Sequence, residues 1–210
     1  MQKEKISFSG LVRADNWLYS KIPPLLAVGY GIILVNKIEF PLGFPSLFFL
    51  LISICSVAAY GHIVNDISDT HEDRVRGKIN FAARLSPIKR LAICLFFIIS
   101  GFSPFFFYDF GLTAIILLLI NYLLPTLYSV PLIRLKERNR IGIVADALGA
   151  HAIPTLFLAL AMIYVKPGSG NLGFFVAASA GIWAFFLGLR GIIFHQLLDR
   201  RFDKDAKVRT

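Results

Sequence analysis

Residues 65–73 read Asn-Asp-Ile-Ser-Asp-Thr-His-Glu-Asp, and the chain reaches them directly from a long apolar run. A second acidic pair, Asp199 and Asp203, ends another such run. Continued as one helix through residue 73, the first segment places Asn65, Asp69 and Asp73 at i, i+4 and i+8, within about 80° of arc. Asp66 sits at the edge of that face, and Glu72 lies off it. Asp199 and Asp203 repeat the i, i+4 interval, while Asp205 points elsewhere. Like charges at this interval destabilise a bare helix by about a few tenths of a kcal/mol, so the pattern makes sense when a cation is shared between the carboxylates. Mg²⁺ is the natural candidate, because it takes one or two carboxylates and completes its shell with water and phosphate oxygens. Two facing carboxylate sets could hold two Mg²⁺, which could bridge a diphosphate. The plainer reading of either cluster alone is a solvated helix end whose acids pair with Arg74, Arg76 and Lys78. Both clusters on one face of one chain favour the shared cation.

The elements that must position these groups are membrane helices. Of the 210 residues 56% are hydrophobic and only 17% charged, with 20 Phe. Uncharged stretches run 22–36, 40–65, 91–108, 110–133, 147–165 and 167–189. Most approach or exceed the ~20 residues that span a hydrocarbon core, and Lys21 and Lys37 can snorkel to extend the first. The expected fold class is therefore an all-α, polytopic transmembrane bundle with six spans. The net charge of +9 suggests a nucleic-acid partner until its distribution is read. With six spans alternating the sides of their loops, 20 of the 22 Lys and Arg fall on one side, leaving only Lys37 and Lys166 on the other. That asymmetry orients a membrane protein, with the N-terminus and both acidic motifs cytoplasmic, and excludes nucleic acid as the reason for the charge. Cys55 and Cys94 lie inside apolar runs and read as reduced packing residues.

Residues 1–16 are expected to be interfacial, Pro23 and Pro24 to lie near the start of the first span, and Pro87 to open the third. The last span carries Gly173, Ala177, Gly181, Ala184 and Gly188, a small-residue stripe suited to close helix packing in lipid. Asp146 is expected to pair with an arginine of the preceding loop.

The order of motifs resembles one family. Asn65, Asp66, Asp69 and Asp73 are followed by Tyr128, Ser129, Pro131, Arg134 and Lys136, then by Asp199 and Asp203. They fall after the second, fourth and sixth spans, as in the UbiA superfamily of intramembrane prenyltransferases, and the resemblance covers essentially the whole chain. It implies a metal set of Asn65, Asp66, Asp69, Asp73, Asp199 and Asp203, holding Mg²⁺ and a polyprenyl diphosphate donor, with the lipid tail in a lateral tunnel. Substrate contacts would come from Asn65, Ser129, Arg134 and Lys136, with His195 and Arg190 as further candidates. Asp66, Asp199 and Tyr128 make up the implied catalytic set. The implied chemistry is ionisation of the allylic C–O bond as diphosphate leaves, shielding of the carbocation by aromatic rings, and attack by an acceptor expected to be aromatic. Tyr128 and Phe194 are the ring candidates. His62, three residues before Asn65, is weighed like His195: either touches diphosphate or is a hydrogen-bonded interfacial histidine.

Two departures qualify the resemblance. The family's first motif is often followed by Arg-Pro, whereas this chain has Ala83-Arg84-Leu85-Ser86-Pro87. The family also typically has nine helices, so residues 1–210 are expected to be a single such domain, incomplete at its C-terminus, with six of nine helices present. Two other functions stay open: transfer of a different activated group, such as phosphoribosyl to polyprenyl phosphate, and ion-coupled transport.

Overall fold

Uncharged length, a few prolines and one capping serine set where the helices fall. The computed structural model describes residues 8–75, 77, 79–168 and 171–205, with side chains except at 8, 9, 16 and 198–205. The helices are α1 (Phe8–Val12), α2 (Ala14–Val35), α3 (Phe40–Ser68), α4 (Thr70–Val75), α5 (Pro87–Phe102), α6 (Gly111–Ser129), α7 (Asn139–Ala147), α8 (Ile153–Val165) and α9 (Leu172–Asp205). A π-helical turn, Leu148–Ala152, joins α7 and α8 into one rod. Among the described residues six segments are long and apolar enough to cross a membrane: Trp17–Val35, Phe40–Ser68, Pro87–Phe106, Gly111–Ser129, Asn139–Val165 and Leu172–Leu197. The expected all-α, six-span bundle is the fold.

The third span opens as expected, with Pro87 at the first helical position and the Ser86 hydroxyl accepting from the Lys89 N–H at 3.4 Å. The first span differs. α2 starts at Ala14, so Pro23 and Pro24 lie inside it rather than at its start. Leu11 and Val12 of α1 are buried with Ala59, Ile63 and Phe97, and the Trp17 indole donates to the Val12 carbonyl at 2.9 Å. Apolar burial thus holds this part of the N-terminal segment against the bundle, while residues 1–7 of the expected interfacial stretch lie outside the described residues.

α3 is the central rod, packed against α5, α6 and α8. Lipid offers no hydrophobic drive between helices, so short polar contacts matter there. Ser53 donates to the Gly101 carbonyl at 2.7 Å, Ser56 to the Ser100 hydroxyl at 3.0 Å, and Tyr122 to the Phe97 carbonyl at 2.6 Å. α3 and α6 run parallel, in a register fixed by the Tyr60–Thr126 hydroxyl pair at 2.9 Å and the Ser129–Asn65 contact at 3.4 Å. Their C-terminal ends therefore come level. The small residues of α9 serve as expected. A Cβ on Gly188 would stand 2.9 Å from the Ala147 Cα, so this helix meets α7 at backbone distance. At the opposite end of the bundle, Asn36 donates to the Lys166 carbonyl at 3.1 Å and Lys166 pairs with Glu39 at 3.0 Å. Cys55 and Cys94 are free.

Candidate active site

A cavity of about 910 Å³ opens among α2, α3, α6, the α7–α8 rod and α9. Its wall is mixed: Leu25, Ile54, Val57, Leu124, Trp183 and Leu187 stand beside Lys21, His62, Asn121, Asp146 and His151. Acidic and basic groups from the end of α3 and from the loop after α6 gather at its mouth.

α3 does not continue through residue 73. It ends at Ser68, Asp69 caps it with φ −93° and ψ 7°, and α4 restarts at Thr70. The Thr70 hydroxyl turns back to the carbonyls of Asp66 and Ile67, at 3.2 and 3.0 Å, and so competes with the helical ladder at the break. The expected single acidic face is consequently split. Asn65, Asp69 and Glu72 line the cavity; Asp66 and Asp73 do not. The Asp73 carboxylate accepts from Asn80 Nδ2 at 2.8 Å, and the same amide donates to the Asp66 carbonyl at 2.7 Å. The Asp66 side chain, 1% exposed, has Arg13 2.6 Å from Oδ1. The phase change at the break also brings in Glu72, which an unbroken helix leaves off the face.

Two cations sit on the acids that face the cavity. Lys136 pairs with Asp69 and donates to Asn65 Oδ1 at 3.1 Å. Arg134 reaches Asp69 at 3.3 Å, Glu72, and Glu137 at 2.5 Å. Arg134 holds this position from a left-handed backbone, φ 44° and ψ 59°, which costs about 1–2 kcal/mol for a residue with a Cβ. Ser129 is buried against Asn65, and Tyr128 lines the cavity beside it.

The remaining expectations divide. His195 and His62 both line the cavity, whereas Arg190 and Phe194 are exposed and do not. Asp146 also lines the cavity, with Lys21 and His195 rather than a loop arginine as its electrostatic partners. Lys21 faces the same interior instead of snorkelling outward. Sequence spacing singles out neither Arg13 nor Asn80, and it marks Lys21 only as a snorkelling flank. The available signal for Lys21 was its place just before an apolar span, where an ionisable group marks function by default. α9 runs through Asp199 and Asp203, one and two turns beyond His195, but their side chains lie outside the described residues.

Among the described residues no three His, Cys, Asp or Glu side chains converge to hold a metal ion. What the mouth offers is a pair of hard oxygens, from Asn65 and Asp69, beside cations suited to phosphate. This fits the mode in which Mg²⁺ is held by one or two carboxylates and completed by substrate phosphates, and not an all-protein cage.

The UbiA prenyltransferase family matches residues 23–210. Comparison with curated proteins gave no match. Comparison with solved structures gave none either. A match over nearly the whole chain, on a six-span bundle whose acidic and cationic motifs meet at the end of one cavity, identifies this protein as a member of the UbiA prenyltransferase family.

Proposed function

We propose that this chain transfers a prenyl group from a polyprenyl diphosphate to a lipophilic, aromatic acceptor, releasing diphosphate in a Mg²⁺-dependent reaction at the cavity mouth. The observation that carries the reading is the join of a charged head and a stretch of apolar wall: Asp69 with Lys136 and Arg134 at the mouth, Leu25, Ile54 and Val57 behind. A diphosphate with a hydrocarbon tail matches both halves.

Lys136 and Arg134 supply the N–H donors for phosphate oxygens, the first as a point charge and the second as a planar fork. Asn65 and Asp69, with Asp199 and Asp203 from α9, are the proposed holders of Mg²⁺, which when bound neutralises the leaving diphosphate. Asp66 and Asp73 hold the shape of the motif through Arg13 and Asn80. In the reaction the allylic C1–O bond breaks with both electrons going to diphosphate. The acceptor then bonds to C1 and gives up a proton. The Tyr128 ring in the cavity wall is the proposed shield for the cation. The charge asymmetry supports a cytoplasmic position for this mouth.

The test is pyrophosphate release by purified protein in lipid nanodiscs, given geranylgeranyl diphosphate, its saturated analogue and a panel of aromatic acceptors. Release is expected only from the allylic compound, and only with Mg²⁺ and an acceptor present. Equal release from the saturated analogue overturns the reading, as does no release with any acceptor.

Arg134→Lys is expected to lower kcat/KM for the allylic diphosphate by about tenfold, mostly through KM. The charge survives, but one ammonium cannot replace a fork that reaches Asp69, Glu72 and Glu137 together. Lysine meets the same left-handed backbone cost, so thermal unfolding should move little. Steady-state kinetics and a melting curve check both statements.

A further inference from the structure

Prenyl transfer at the mouth leaves Asn121 unexplained. It lies on α6, two turns before Tyr128 and Ser129, so the helical rise sets it about 10–12 Å deeper in the cavity. It contributes to the cavity wall, is 0% exposed, and among the described residues neither its amide nitrogen nor its oxygen has a hydrogen-bond partner. A buried, unpaired amide is costly, and native interiors keep few of them. The α3–α6 register places Asn121 level with Val57, among mostly apolar groups. Thr155 of α8 lines the same cavity, but its hydroxyl donates to the His151 carbonyl at 2.8 Å and is left only able to accept. His151 belongs to the π-helical turn, a distortion frequent at functional sites.

We propose that Asn121 is the recognition point for the acceptor, and that the acceptor carries there a group that both donates and accepts a hydrogen bond, such as a hydroxyl. The proposal deepens the prenyl-transfer reading and rests on it. The primary amide offers two donors and one acceptor, and only a group of mixed character satisfies both ends. The prenyl tail provides neither character. Diphosphate oxygens, an ionised carboxylate and a quinone carbonyl only accept. An unpartnered amide in the interior therefore points to the acceptor and away from the donor.

A pair of probes differing only in that hydrogen tests it without turnover: 1-naphthol and 1-methoxynaphthalene, titrated into the detergent-purified protein with no diphosphate and followed by thermal shift. The naphthol is expected to bind the wild type at least about tenfold more tightly than the ether, since an unsatisfied buried partner costs roughly that factor or more. N121L should bring the two probes within about twofold of each other. N121A, too small to crowd the wall, makes the same comparison should the leucine variant fail to fold. Equal binding of both probes to the wild type, or an unchanged preference in the variants, overturns the proposal. Because no prenyl donor is present, this result is independent of whether pyrophosphate is released in the turnover assay.

Discussion

Asp69→Asn is expected to lower acceptor-dependent pyrophosphate release by about 10³-fold, with no recovery at high Mg²⁺. Asp69 is the acid on which the mouth converges: among the described residues it alone receives both Lys136 and Arg134, and it flanks Asn65 on the cavity surface. Groups aimed at developing charge in a water-poor site are individually worth about 10²–10³ in rate. Removal of this carboxylate also disturbs the placement of both cations, and the upper end of that range follows. The fold should survive, because Arg134 keeps Glu72 and Glu137. The measurement is initial rate against Mg²⁺ concentration, with a melting curve as control. A variant that retains a tenth of the wild-type rate would show that Asp69 is a structural partner of the loop and not part of the chemistry.

The spans were readable because charge is costly in hydrocarbon. Six uncharged runs and a one-sided distribution of Lys and Arg leave little freedom in where the helices go. Small residues on α9 announced their packing for the same reason: only their size permits the approach seen at Gly188. Of the residues expected at the mouth, some converge and others turn to different partners. Asn65, Asp69, Ser129, Arg134 and Lys136 do meet, as their order suggested. The break at Asp69 was hidden because neither glycine nor proline marks it; a threonine hydroxyl competing for backbone carbonyls is a weak local signal. The partners of Asp66 and Asp73 were hidden for a different reason. Arg13 lies 53 positions before Asp66, and no local periodicity connects them. Asn80 reaches Asp73 only because the loop after α4 folds back on it. Lys21, Asp146 and Asn121 each stand as single polar residues at or within apolar runs. Their convergence on one cavity depends on how the surrounding helices pack, which pairwise spacing does not encode.

Arg13→Gly is expected to destabilise the protein by about 3 kcal/mol, and Arg13→Gly combined with Asp66→Asn to recover most of that loss. The Asp66 side chain is 1% exposed, and the cation beside it is the Arg13 guanidinium at 2.6 Å, itself 33% exposed. Breaking a buried pair from one side costs about 3–5 kcal/mol because the remaining charge has no water and no partner. Partial exposure of Arg13 puts the value at the lower end. Glycine is the informative replacement because Arg13 adopts φ 48° and ψ 42°, a left-handed conformation that glycine accepts freely and alanine does not. Arg13→Ala should therefore be worse than Arg13→Gly by about a further 1 kcal/mol. The stability order to be measured by unfolding in detergent is wild type, then the double variant, then Arg13→Gly, then Arg13→Ala. Rescue by the neutral amide identifies the cost as buried charge; if Asp66→Asn fails to rescue, Arg13 contributes packing between α1 and the motif and the ion pair is incidental. The rescued protein also separates two roles of the acidic motif. Should it fold yet lose pyrophosphate release, Asp66 takes part in the reaction as well as in holding the end of α3.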